Sequence, residues 1–195
     1  MIAGMTALHR ALTDPGLRPL PERVSLLLRE LDAPPRLAAH LRAVHDVAAG
    51  LVDWVRERHP SLGVDGEAVL FGAATHDVGK TVHPSELSGP GGEHEPAGYA
   101  LLREHGVEDR LARFARTHAS WGDPDIGIED LLVSLADNVW KAKRLPELEQ
   151  HVVDMLAAAS GEPKWQVFMD LDDVCDRLAA GADRRLAFQS AYPAA

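Results

Sequence analysis

A chain of 195 residues with 46% apolar side chains is long enough to bury one core, and a single domain over residues 1–195 is the default expectation. Its formal charge of -10 argues against a surface built on phosphate-backbone contacts, so small molecules rather than nucleic acid are the expected partners. The single cysteine, Cys175, excludes an internal disulfide and a cysteine cluster for zinc, which leaves His and carboxylate side chains as the available metal ligands.

A reducing, cytoplasmic setting fits that cysteine usage. The N-terminus lacks the basic start and apolar run of a signal peptide, and no apolar stretch approaches the ~18 residues that span a membrane, so no membrane partner is expected.

Helical periodicity dominates and no segment sustains the alternation of a strand, so the expected fold class is all-α. After a Pro- and Gly-containing beginning (Pro15, Gly16, Pro19, Pro21), Val24 to Leu31 makes a short helix that Pro34-Pro35 stops. Leu37, Leu41, Val44, Ala48, Leu51 and Val55 recur at three- and four-residue spacing, which predicts a long helix from about Arg36 to His59, ended by Pro60. Gly66 to Asp77 is apolar almost all round and should be central, with Gly72-Ala73-Ala74 admitting a neighbouring helix.

Pro, Ser and Gly between Thr81 and Gly92 read as a loop. Pro96 can start the next helix, and Gly106 can cap it. Leu111, Phe114 or Ala115, and His118 place His118 on the buried face of a helix from Val107 to about Ser120. In a helix from Ile128 to Val139, Leu131-Leu132-Val133 and Leu135-Ala136 cover all sides. Asp137 would then enter an apolar interior, where an ionised carboxylate needs a partner. Phe168, Leu171, Cys175 and Leu178 mark a helix from Pro163 to Leu178. The chemistry-bearing core is expected over about 36–145, flanked by peripheral helical regions 20–32 and 146–191.

The most informative stretch is His76-Asp77-Val78-Gly79-Lys80, where an apolar run from Ala68 to Ala74 ends in an imidazole and a carboxylate side by side. Imidazole suits Fe, Zn, Ni or Cu and carboxylate suits harder cations, so a mixed set leaves a range of transition metals open. Alone, the pair also reads as a helix C-terminus whose His favours the dipole, followed by a turn at Gly79. His45 upstream, and His94, His118 and Asp137 downstream, extend it, each at the end or on the inner face of a helical segment. The resulting order, H...HD...H...H...D, resembles the HD-domain superfamily of metal-dependent phosphohydrolases.

That resemblance implies an HD-domain helical bundle with additional N- and C-terminal helices and two adjacent metal ions. Asp77 would bridge them, with His45, His76 and Asp137 completing one set and His94 and His118 the other. Iron is the favoured metal, with Mn, Ni, Co or Zn open. His40 rivals His45, which is preferred because Val47-Ala48 follow it, as they usually follow the family's first ligand. Lys80 stands where the family often places a cation on substrate phosphate, so Asp77 and Lys80 carry the expected catalytic roles. Thr117 and Trp121 flank His118 and would shape a substrate pocket or fill the core. Lys141, Lys143 and Arg144 suit the dipole at the end of their helix, with a second anion contact, Lys141 foremost, as the alternative. His83, His105 and His151 fall outside the pattern.

The chain departs from the cyclic-dinucleotide phosphodiesterases of the HD-GYP type, having Thr117-His118-Ala119-Ser120-Trp121 in place of paired histidines, and Gly98-Tyr99 followed by Ala100. Closer in size and pattern are the small binuclear phosphohydrolases. The implied activity is hydrolysis of a phosphate ester or anhydride of a nucleotide or other small phosphorylated metabolite, and a homodimer is a compatible assembly. Myo-inositol oxygenase and related phosphonate-cleaving enzymes share the six-ligand order around a mixed-valent di-iron centre and supply the alternative. A non-catalytic helical module is the third reading.

Overall fold

The computed structural model describes residues 6–194, and every regular element among them is helical. Three helices make the centre. The first, α3 (Pro35–Arg58), follows two shorter helices, α1 (Ala7–Thr13) and α2 (Glu22–Glu30). Its first residue is a proline, whose missing N–H costs nothing in a first turn, and Pro60 follows its end. Sixteen α3 side chains from Leu37 to Val55 are buried, more than one amphipathic stripe would require, so α3 runs through the interior. The second, α4 (Gly66–Thr75), is capped by Asp65, whose side chain accepts from the Ala68 amide at 3.0 Å.

Chain order continues with α5 (His94–Glu104), α6 (Asp109–Ala112), α7 (Phe114–Thr117) and the third central helix, α8 (Ile128–Val139). Helices α3, α4 and α8 pack on one another, and Val44, Ala48, Val69, Ala73, Leu132 and Ala136 are fully enclosed between them. The remainder, α9 (Pro146–Ser160), α10 (Lys164–Ala179) and α11 (Ala182–Ser190), lies against that centre. No helix among the described residues is long and apolar enough to cross a membrane.

Most expected helices stand within two residues of their predicted bounds, and α8 coincides with its prediction. Three of the expected segments differ in detail. The helix expected from Val107 to Ser120 is broken at Arg113 into α6 and α7, where the Arg113 guanidinium takes the Arg110 carbonyl and reaches Asp130 at 3.1 Å. The expected loop from Thr81 to Gly92 carries 3-10 turns at Val78–Thr81 and Pro84–Leu87. And α5 begins at His94, two residues before Pro96, so the proline sits inside the first turn, where its lost N–H would have had no partner.

Candidate metal centre

The end of α4 delivers the His-Asp pair: His76 caps the helix, and Asp77 turns the chain into the short 3-10 segment that follows. That segment packs directly on the start of α5. A methyl group on Gly79 would sit 1.9 Å from the His94 carbonyl oxygen and 2.6 Å from the Gly98 nitrogen, so only glycine allows this approach of backbone to backbone. His94 is thereby held against Asp77.

The imidazoles are oriented from behind. Nδ1 of His76 lies 3.0 Å from the Ala73 carbonyl, and Nδ1 of His118 lies 3.1 Å from the Ala115 carbonyl. Nδ1 of His94 lies 2.5 Å from Glu86 Oε2. An acceptor at Nδ1 fixes the proton there and leaves the Nε2 lone pair free, the arrangement found behind metal-ligating histidines.

The Nε2 atoms face two carboxylates. Asp77 Oδ2 is 3.1 Å from His40 Nε2 and 3.6 Å from His76 Nε2, while Asp77 Oδ1 is 3.0 Å from His94 Nε2 and 3.7 Å from His118 Nε2. Asp137 Oδ1 lies 3.5 Å from His40 Nε2 and 3.4 Å from His76 Nε2. Two groups result, His40–His76–Asp137 and Asp77–His94–His118, the donor atoms of each within 4.8 Å of one another. The two oxygens of Asp77 are divided between them. His94 Nε2 is buried and, despite its nearness to Asp77, makes no hydrogen bond, which fits donors converging on a third partner.

Burial would raise both carboxylates, but the surrounding imidazoles outweigh it: Asp77 is held well below the usual carboxylate range, chiefly by His76, and Asp137 falls to about 2. Burial, reinforced by His76, pushes His118 down to about 4. At neutral pH the site therefore presents ionised carboxylates and a neutral His118, whereas His76 and His94 are raised above the ordinary imidazole value, against the pull of burial, by Asp77 with Asp137 and by Asp77 with Glu86. A bound transition metal would take the place of those protons. A mixed imidazole and carboxylate set suits iron, manganese, nickel, cobalt or zinc, so the residues present fit the implied metal ions.

Of the sequence-derived ligands, His76, Asp77, His94, His118 and Asp137 come together, and His45 does not. His40 occupies the place expected of His45. Five residues apart on α3, the two point about 140° apart around the helix axis. His45 is buried with an unpartnered Nδ1, and its charged neighbours are Arg18, Asp46 and Arg42.

Lys80 donates to Asp77 Oδ2 at 2.6 Å and, with Trp121 and Lys141, lines a cavity of about 320 Å³ that opens from both metal-site groups to the surface. Thr117 does not line it: its hydroxyl donates to buried Asp130 at 2.7 Å and ties α7 to α8, which is the packing role of the two expected for it and not the substrate contact. Arg144 also turns away, to Glu149, Asp172 and Asp176. Sequence reasoning missed Glu86, which binds the His94 ring and accepts the Glu93 and His94 amides at 3.2 Å. Nothing in a Pro-Ser-Glu segment eight residues upstream signals that fold-back.

No curated protein and no solved structure matches the chain. The sequence model of one family, described as HD domain, matches residues 37–140, just over half of the chain, and the matched stretch contains every residue of both groups. With its histidines and aspartates gathered in that family's order around two adjoining centres, the chain belongs to the HD-domain family.

Proposed function

We propose that the protein is a metal-dependent phosphohydrolase that cleaves a phosphate ester or anhydride of a nucleotide or another small phosphorylated metabolite at a binuclear centre. HD-domain proteins are in general metal-dependent phosphohydrolases. The observation that carries the binuclear reading is the division of Asp77, with one oxygen toward His40 and His76 and the other toward His94 and His118. A structural site for one ion needs no such carboxylate between two sets of imidazoles.

His40, His76 and Asp137 would hold one ion, His94 and His118 the other, and Asp77 both, with iron the favoured metal. Ions held there supply Lewis acidity, bringing the pKa of water toward neutrality and offsetting charge on phosphoryl oxygens. The protein's own part is positional. Glu86, Ala73 and Ala115 keep the imidazoles in register, and the Lys80 ammonium at Asp77 places a fixed positive charge where phosphoryl oxygens accumulate negative charge. Trp121 and Leu145 give the cavity an apolar wall for the remainder of the substrate.

The test is phosphate release from p-nitrophenyl phosphate and from a panel of nucleotides, by protein loaded in turn with iron, manganese and nickel. Metal content is measured on the same samples. Activity should depend on metal and vanish in Asp77→Ala. No phosphate release from any member at full metal content would overturn the proposal.

A further inference from the structure

The chain has only four lysines, Lys80, Lys141, Lys143 and Lys164, its other basic residues being arginines. Three of the four, Lys80, Lys141 and Lys143, line the metal-site cavity, and no arginine does. The fourth pairs with Asp154 at 2.8 Å. Where this protein needs a cation for structure it uses arginine: Arg58 holds Glu162 and Asp170, Arg113 holds Asp130, and Arg42 binds four backbone carbonyls. The division of labour is chemical. A guanidinium fork suits a fixed, planar partner, whereas an ammonium on a flexible stem acts as a compact point charge, the form in which lysine binds phosphate.

Lys141 and Lys143 have no carboxylate partner among the described residues, although the chain carries 30 acidic side chains against 20 basic ones. The backbone is bent to present them. Past the end of α8 the Ala142 amide donates to Val139 O at 2.9 Å and the Lys143 amide to Asn138 O at 3.1 Å, a helix-ending turn whose left-handed residue is usually glycine. Here it is Ala142, at φ 56°, a conformation unfavourable for a side chain-bearing residue. The reversal sets Lys141 and Lys143 on the same cavity.

Depth separates the three cations. The Lys80 side chain is 19% exposed and lies on Asp77 at the floor, whereas Lys141 and Lys143 are exposed at the mouth. We propose that the cavity selects substrates carrying a chain of at least two phosphates, the reacting one beside Asp77 and Lys80 and the next on Lys141 and Lys143, so that phosphoanhydrides are preferred over simple monoesters. This rests on the phosphohydrolase reading and narrows its substrate class.

The test is calorimetric binding of methylphosphonate and methylenediphosphonate, neither of which can be hydrolysed, to manganese-loaded wild type and to the Lys141→Gln/Lys143→Gln variant, with metal content rechecked after titration. Wild type should favour the diphosphonate by about tenfold or more, as a charge-assisted contact would give, and the variant should lose that preference while keeping its affinity for methylphosphonate. A preference that survives in the variant, or no preference in wild type, overturns the proposal. Phosphate release from p-nitrophenyl phosphate by the same wild-type protein reports on the phosphohydrolase reading independently.

Discussion

His40 and His45 are both buried on α3, and only the phase of the helix separates them. The residues following His45 resemble those after the family's first ligand, but local sequence carries no information on which face of α3 meets α4 and α8. His45 instead titrates as a buried group without a carboxylate partner: burial, then Arg18, lowers its pKa from the ordinary 6.5 to about 4. As pH falls through that interval the unfolded chain takes up a proton that the folded chain refuses. Stability contributed by neutral His45 is thus present above about 6.5 and lost toward about 4, by up to about 3 kcal/mol. Urea midpoints measured at pH 7 and pH 4.5 should therefore differ less in His45→Gln than in wild type. Equal differences would mean that His45 titrates normally.

At the scale of elements, the junction between the turn at Gly79 and the start of α5 does most to shape the site. Gly79→Ala introduces a methyl that meets backbone on both sides, and backbone cannot swing aside as a side chain would. The substitution should cost about 1–3 kcal/mol or more and should reduce metal content by displacing His94, whereas Gly122→Ala, which enters open space, should do neither. Denaturation and metal analysis of the two variants check this, and a Gly79→Ala protein with wild-type stability and metal content would contradict it. The α3 and α8 helices were legible because prolines and continuous apolar spacing mark them locally. The break at Arg113 was not, because its cause is Asp130, 17 residues away. Nor were α1, which precedes the Pro- and Gly-containing stretch, or α9 and α11 within the expected region 146–191 individually predicted; of α11 only Ala182 and Arg185 are buried, so an apolar stripe barely exists.

Across the whole molecule, the candidate centre draws together residues from His40 to Asp137, and most of that set could be read from residue type and order, without any knowledge of which helix faces meet. What lies between the ligands and solvent was less legible: the lysine-lined mouth depends on a turn at Ala142 that no sequence rule predicts, and Glu86 acts through a fold-back. The proposed chemistry depends on two ions sharing Asp77. Anomalous diffraction from crystals of manganese-loaded protein tests this most directly. The result predicted is two peaks, about 3.5–4 Å apart as in other two-metal sites, one beside His40, His76 and Asp137, the other beside His94 and His118, with one Asp77 oxygen on each. A single peak, or a peak ligated by His45 in place of His40, would contradict it.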